Sequence, residues 1–429
     1  MLNRATPPPF VVPQNFVIPL AVQYPLANGN ILHAINTDDD ALLKIDVFFA
    51  AGRIYQKQAS VAALTIDMLF ESTQKRTAMA LAEAMDFYGA YTDYSVRSEW
   101  ASVTLYTLNK HLASVLPYFI ELLTLPAFKE DELELLKARE IQDLKVSLEK
   151  NSVLAQHEVS RQVWGENHPL GMIPSIENYN LVTRATIQAF FDQHYTLGDA
   201  HIFVAGNLFE DTISVLTRAF AIGEKSGLPL KKTEMVLSET ASRVFVQKPN
   251  SLQAALKVVR SHVARTHPDY NDTQMLNLIL GGYFGSRLMD NLREDKGYTY
   301  GVGSGISDYS FGSQWSIGTE VKNSAKDNAI NEIFIEMERL TKELIDVDEL
   351  NVARNYLLGQ VLRSLDGPYS QLHYAETVEL NNYSYELLYA GFERIKTVTP
   401  ADLLVVAKKY LQAKDWLVVV CGSEESTRT

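Results

Sequence analysis

Two polar residues in the second half of the chain have types and spacing suited to stabilising an oxyanion. Arg293 and Tyr300 lie seven positions apart in the segment 292–300, LREDKGYTY. A phenol hydroxyl donates to a carbonyl oxygen as that oxygen gains negative charge, and a guanidinium binds carbonyls or holds the phenol in place. Neither residue hydrolyses a bond unaided. Taken alone, the pair is better explained as a surface-helix cation beside Glu294 and Asp295 and a tyrosine that begins a strand.

Other reactive residues do not combine into a recognisable catalytic or metal site. His157 and Glu158 would begin an HExxH motif, but its last position is Arg161, a cation that repels zinc. Cys421, the only cysteine, lies in an apolar run typical of a buried strand, so it indicates a packed thiol and excludes an intramolecular disulfide. The sequence contains neither a Gly-x-Ser-x-Gly elbow nor a Gly-Lys-Ser or Gly-Lys-Thr phosphate loop.

The elements that must position these residues occur twice along the chain. Thr183 and Gly206 are separated by 23 residues, as are Thr399 and Gly422, and each interval contains a helical pattern followed by an apolar strand. In the second copy Thr399 is the predicted N-cap and Pro400 the first helical residue. Each half of the chain is therefore predicted to end in helix, turn and strand.

A second pair of similar segments supports the duplication. Residues 89–91, GAY, precede an alternating strand pattern at 103–106, and residues 297–300, GYTY, precede another at 314–317. Residues 346–349 have the types of a capping box and lead into apolar residues at helical spacing. Long helices mixed with half-buried strands predict an α+β fold in which one domain type occurs twice.

Chain length agrees with two domains. At 429 residues the chain exceeds the roughly 250 to 300 residues at which one hydrophobic core stops growing. Gly, Pro and Lys concentrate at 223–232, where hydrophobic periodicity lapses. We therefore predict an N-terminal domain at 1–228 and a C-terminal domain at 229–429.

Composition and charge exclude several classes of function. Hydrophobic residues make up 46% and charged residues 21% of the chain, and the mean hydropathy is −0.09, as in ordinary soluble globular proteins. No apolar run approaches the roughly 20 residues that a membrane helix needs. The formal net charge of −13 repels phosphate backbones, so nucleic acid and membrane are not expected partners.

The first residues give an expectation about location. Residues 1–9 contain one arginine and then three consecutive prolines in place of the apolar stretch of a signal peptide. A cytoplasmic location is the default prediction, and a periplasmic one stays open.

Several segments together carry a family resemblance over about residues 43–422. They are 64–70 (LTIDMLF), 164–171 (WGENHPLG), 280–282 (LGG), 286–288 (SRL) and the Arg/Tyr segment given above. With them the chain resembles the pitrilysin and mitochondrial-processing-peptidase family of zinc metallopeptidases, and in particular its two-domain bacterial branch. The resemblance implies a duplicated pitrilysin-like fold and paired chains that enclose a peptide.

The same resemblance identifies a degenerate metal site in the first half. Where the family carries HxxEH, this chain has Ala63, Ile66 and Asp67, and the family's third ligand, a glutamate, is replaced by Asp143. Leu136 stands where another acidic residue is typical. Catalytic zinc needs about three protein ligands and a bound water, so we expect no metal in this chain. Asp67 and Asp143 are then surface or helix-cap carboxylates.

The resemblance implies a function in substrate binding. Arg293 and Tyr300 match the family's substrate-side pair, so the leading hypothesis is a non-catalytic, peptide-binding subunit of a heterodimeric zinc metallopeptidase. Its partner would be an HxxEH-bearing sister chain that supplies the zinc, and this chain alone would be inactive. The family also adds an extended peptide to a sheet edge, here about residues 90–94, where Thr92 and Asp93 replace the usual Asn-Ala pair.

Two other functions are consistent with the same residues. The first is a structural or peptide-binding homo-oligomer that catalyses nothing and is related to the enzymes in the way that the core proteins of respiratory complexes are. Arg293 and Tyr300 would then be inherited scaffold. The second is an independently active peptidase, which would need Asp67, Asp143 and a further ligand to hold a metal.

Overall fold

A computed structural model describes residues 17–37, 41–226 and 242–424 and contains two mixed β-sheets, each packed against helices. This confirms the predicted α+β fold with two similar domains. The predicted boundary between residues 228 and 229 lies outside the described residues.

The first half forms a six-stranded sheet with eight α-helices. The strands are β1 (Val22–Pro25), β2 (Ile31–Asn36), β3 (Leu42–Phe49), β4 (Tyr91–Val96), β5 (Ala101–Leu108) and β6 (His201–Gly206). The helices are α1 (Val61–Leu69), α2 (Ala78–Asp86), α3 (Leu112–Thr124), α4 (Glu130–Ser147), α5 (Asn151–Trp164), α6 (Ile176–Leu181), α7 (Arg184–His194) and α8 (Glu210–Ala219).

The second half forms a five-stranded sheet with six α-helices. The strands are β7 (Arg243–Gln247), β8 (Gln253–His262), β9 (Val302–Tyr309), β10 (Gly312–Lys322) and β11 (Leu417–Gly422). The helices are α9 (Tyr270–Asn277), α10 (Lys326–Lys342), α11 (Val347–Ser364), α12 (Pro368–Asn381), α13 (Tyr385–Thr397) and α14 (Pro400–Tyr410). Two π-helical segments, Leu278–Gly282 and Met289–Asp295, lie between α9 and β9.

Strand order shows that the two sheets are copies. The first has the order β1-β2-β6-β3-β5-β4 and the second β7-β11-β8-β10-β9. In each, one parallel pair (β2 with β6, β7 with β11) is followed by antiparallel pairs. The strands β2, β6, β3, β5 and β4 thus correspond to β7, β11, β8, β10 and β9, and β1 is an addition to the first sheet.

Local signals at the copied elements act as the sequence predicts. The N-cap residues Thr183 and Thr399 each form a capping box at the start of α7 and α14. Gly89 and Gly297 have φ of 64° and 60°, which lets the chain turn from a helical segment toward β4 or β9 at little steric cost. Cys421 is buried in β11.

The two halves exchange one helix each. Helix α5 of the first half packs on the second sheet, where Ala155 and Val159 join a buried cluster with Val419. Helix α12 of the second half packs on the first sheet, where Leu372 joins a cluster with Phe203. Each sheet therefore has its own helices on one face and the other half's helix on the opposite face.

No helix among the described residues combines the length and the hydropathy needed to cross a membrane.

Candidate functional site

Helix α1, which contains the positions where the resemblance places HxxEH, is buried almost all round. In α1 the side chains of Val61, Leu64 and Ile66 are buried, whereas Ala63 is exposed and Asp67 is half-buried. Residues four apart in a helix share one face, so Ala63 and Asp67 form the only stripe of α1 that reaches solvent. This is the stripe on which HxxEH would place its two histidines, and alanine supplies no donor there.

Asp67 is bonded to the neighbouring sheet. The hydroxyl of Tyr94, on the edge strand β4, donates to the Asp67 carboxylate, and the Tyr94 ring stacks on Phe70 with centroids 4.3 Å apart. Burial raises the pKa of Asp67 to about 6, although the Tyr94 hydrogen bond acts in the opposite direction. Asp67 lies in the last turn of α1, where its side chain is half-buried and hydrogen-bonded rather than fully solvated.

Helix α4 brings a different carboxylate near Asp67 than the sequence suggested. The charge of Glu140 on α4 further raises the pKa of Asp67, while Asp143 is exposed one turn farther along the helix and Leu136 is buried. Within the described parts of the chain, no three His, Cys, Asp or Glu side chains are grouped so that they could hold a metal ion. Sequence reasoning missed Tyr94 and Glu140, for which no motif spacing gives a signal.

Arg293 lies in the π-helical segment Met289–Asp295 of the second half. Its guanidinium carbon is 4.7 Å from the centroid of the Phe284 ring, and its Nε is 3.5 Å from a carboxylate oxygen of Glu294. Asn291 ties the same segment to α10 by donating to Glu336 at 2.8 Å. The predicted surface pairing with Glu294 is thus present, together with a cation–π contact on an exposed phenylalanine.

Tyr300 is exposed to solvent between two residues that both contact Thr319. The side chain is 94% exposed. Its neighbours Thr299 and Gly301 are bound to Thr319 of β10, whose hydroxyl lies 2.9 Å from the Thr299 hydroxyl and donates to the Gly301 carbonyl at 2.9 Å. The phenol therefore projects from a fixed turn.

A cleft of about 380 Å³ opens beside Tyr300. Its lining includes Lys257 of β8 and Gly318, Thr319 and Glu320 of β10. Arg293 does not line this cleft, so the two predicted residues share one connection between α9 and β9 but have different neighbours. Lys257 had no signal in the sequence, because its position depends on how β8 and β10 pair.

The sequence is similar to one peptidase family model and to bacterial proteins described as zinc proteases. Residues 181–357 match the family model described as the peptidase M16 inactive domain, a range that includes Arg293 and Tyr300 but not positions 63–67 or 143. An uncharacterized zinc protease of Streptomyces coelicolor is 22% identical over 363 residues, covering 82% of this chain and 78% of the relative.

Two solved structures illustrate the fold. The crystal structure of a peptidase M16 inactive domain from Pseudomonas fluorescens superimposes with a TM-score of 0.85 at 22% identity, covering 95% of this chain and 100% of that one. A chain of complex III2 from Candida albicans gives a TM-score of 0.74 at 15% identity, covering 94% of this chain and 96% of that one. At these identities the likeness shows a common fold.

Proposed function

We propose that this chain, a member of the pitrilysin-like M16 peptidase family without the HxxEH residues, is the non-catalytic, substrate-binding subunit of a heterodimeric zinc metallopeptidase. In this proposal an HxxEH-bearing sister chain supplies the zinc and the general base. The present chain contributes Arg293 and Tyr300 to the closed chamber.

The composition of the first-half site supports an inactive role. Ala63 and Ile66 provide neither ligand nor base, and Asp67 is engaged by Tyr94. A catalytic zinc site requires about three ligands and an activated water, which these groups do not supply. Cleavage therefore needs a second chain.

Exposure of Tyr300 is the observation that carries the proposal. A tyrosine that is 94% exposed buries little surface, so the fold gains little stability from it. Thr319 nevertheless contacts both neighbours of Tyr300, the Thr299 hydroxyl and the Gly301 carbonyl. A rigidly presented phenol is suited to donate a hydrogen bond to a peptide carbonyl that becomes negatively charged during cleavage.

Peptide binding has a second suitable surface in β4. This strand pairs only with β5 among the described strands, so its outer edge can pair with an extended peptide. Thr92 and Asp93 lie on this edge strand. We propose an extended peptide as the substrate class, and the cytoplasm as the compartment.

Reconstitution tests the proposal. The chain and its HxxEH-bearing sister are purified separately, and cleavage of a quenched fluorescent peptide is measured for each alone and for the mixture. We expect activity only in the mixture. Tyr300→Phe should lower the activity of the mixture about 100-fold, because one oxyanion donor is lost. Arg293→Ala should lower it as well.

Tyr356→Phe is the matched control, since it removes the hydroxyl of another exposed tyrosine of the second half, on α11. It should leave the activity of the mixture unchanged. A sister chain that is equally active alone, or full activity with both Arg293 and Tyr300 replaced, would refute the proposal.

A structural homo-oligomer is the second candidate, and the likeness to a chain of a respiratory complex favours it. Light scattering on the chain alone and with the sister chain separates the two. A stable self-dimer that ignores the sister chain would support this candidate.

A further inference from the structure

Lys257 of β8 is a half-buried cation on the floor of the cleft beside Tyr300. Burial lowers the pKa of its ammonium group, since the charged form is partly removed from water. Among the described residues no carboxylate lies within ion-pairing distance of this ammonium group, and the nearest acidic influence is the exposed Glu320. A desolvated charge without a partner is unfavourable, and an incoming anion would offset that cost.

The first sheet has an ionisable side chain at the same position and surrounds it with polar groups. Lys257 lies opposite Gly318 of β10 and Val419 of β11, just as Asp46 of β3 lies opposite Thr104 of β5 and Phe203 of β6. Val419 and Phe203 each lie three residues before the glycine that ends their strand, Gly422 in β11 and Gly206 in β6, so Lys257 and Asp46 are equivalent residues of the two sheets.

Asp46 has polar neighbours within the protein, although burial and the nearby carboxyl of Glu376 raise its pKa. The Lys44 ammonium lies 2.7 Å from one carboxylate oxygen, and the Thr104 hydroxyl donates to the other at 2.5 Å. In the second sheet Ala255 takes the place of Lys44 and Gly318 the place of Thr104. Neither has a polar side chain, so the positions that supply polar contacts to Asp46 supply none to Lys257.

The missing side chain at Gly318 also makes room at the cation. A Cβ atom at position 318 would lie 3.1 Å from the Lys257 ammonium nitrogen. The Lys257 side chain therefore lies over Gly318 in the room that a larger residue would fill, and both residues line the cleft that also contains Tyr300.

We infer that Lys257 is an anion-binding residue that holds a carboxylate of the peptide bound at Tyr300. The inference rests on the proposed function, since it assigns a substrate preference to the same cleft. The carboxylate comes either from the C-terminus of the peptide or from an Asp or Glu side chain. A charge-assisted hydrogen bond is worth about 1.5 to 3 kcal/mol, so it should strengthen binding about 10- to 100-fold.

Calorimetric titration of the full chain with three N-acetylated octapeptides of Ala, Leu and Ser tests the inference. One peptide is amidated and neutral, one has a free C-terminal carboxylate, and one is amidated but contains a single Glu. We expect at least one of the charged peptides to bind about tenfold or more tightly than the neutral peptide. The charged peptide that shows the gain identifies the source of the carboxylate.

Two variants make the test specific. In Lys257→Met the ratio of dissociation constants between neutral and charged peptides should fall to about 1. Gly318→Asp should also abolish the preference, because the new carboxylate would pair with Lys257 from inside the protein. Lys75→Met, at an exposed lysine outside the cleft, should keep the wild-type ratio.

The outcomes separate this inference from the proposed function. Binding of the neutral and charged peptides with equal affinity, or an unchanged preference in Lys257→Met, would overturn the Lys257 site and leave peptide binding intact. Failure of all three peptides to bind would contradict both the site and the proposed function.

Discussion

At the residue scale, α1 contains a half-buried carboxylate whose charged form is disfavoured by burial. Asp67 is half-buried, receives a hydrogen bond from Tyr94, and has a pKa raised to about 6 by burial. Its unfolded-state pKa is about 3.9, so the folded protein holds this proton more tightly than the unfolded chain does. Stability contributed by the protonated form is therefore lost as the pH rises from about 4 to about 6.

Replacing Asp67 by Asn should stabilise the protein at pH 7.5 and have a much smaller effect at pH 4. The amide keeps an oxygen that accepts from Tyr94 but removes the buried charge. We expect the free energy of unfolding at pH 7.5 to increase by about 1 to 3 kcal/mol relative to the wild type, since each pKa unit corresponds to about 1.4 kcal/mol. Urea titrations of the variant and the wild type at both pH values measure this difference in the free energy of unfolding.

Asp143→Asn is the control for this prediction, because Asp143 is exposed. Its effect on the free energy of unfolding should be close to zero at both pH values. A gain for Asp67→Asn that is equal at pH 4 and pH 7.5 would contradict the assignment of a raised pKa.

At the scale of secondary structure, two equivalent cations join the copied helices. Lys137 of α4 donates to the carbonyl of Val182 at 3.1 Å, and Arg354 of α11 donates to the carbonyl of Val398 at 2.8 Å. Both carbonyls directly precede the N-cap threonine of the last helix in their half. In each half, a long helix (α4 or α11) is thus hydrogen-bonded to the residue that precedes the N-cap of α7 or α14.

Lys137→Met should destabilise the first half, since it leaves the carbonyl of the buried Val182 without this donor. The expected loss is about 1 to 3 kcal/mol in the free energy of unfolding. Lys145→Met, at an exposed lysine of the same helix, should cost less than about 1 kcal/mol. Chemical denaturation followed by circular dichroism gives the free energy of unfolding of both variants. Equal losses would show that the contact between Lys137 and the Val182 carbonyl contributes nothing to stability.

Elements with local signals were predictable from the sequence, and contacts between distant segments were not. The capped helices at Thr183 and Thr399 follow from side chains within one turn of each cap. At α11 the prediction was only partly right, because Asp346 caps the helix but Glu349 binds Arg287 with two contacts of 2.8 Å in place of closing a capping box. The Asp67–Tyr94 bond likewise depends on the packing of α1 against β4, which no spacing encodes.

At the scale of the whole molecule, the exchanged helices α5 and α12 couple the two sheets. The duplication was predictable because the two copies share spacings, but the exchange was not, since the apolar faces of α5 and α12 do not specify which sheet they cover. Each exchanged helix contributes buried side chains to the other half's core. We therefore expect the halves to unfold together.

Leu372→Ala tests this coupling, because Leu372 belongs to the second half and is fully buried on the first sheet. We expect a loss of about 2 to 5 kcal/mol and one cooperative transition. Tryptophan fluorescence reports on both sheets, because Trp100 packs on the first, whereas Trp315, Trp416 and Trp164 of the exchanged helix α5 are buried at the second.

Leu362→Ala is the matched control, since Leu362 of α11 is 44% exposed. It should change the free energy of unfolding by less than about 1 kcal/mol. Two separate transitions, with only one of them shifted by Leu372→Ala, would show that the sheets unfold independently.

The exchange of α5 and α12 also bears on what a single backbone cut would do. A protease that cleaves between α8 and β7 would produce two fragments. The sheet of each fragment would still be packed against a helix that belongs to the other fragment. We expect such a nicked protein to migrate as one species on a native gel and as two bands in detergent.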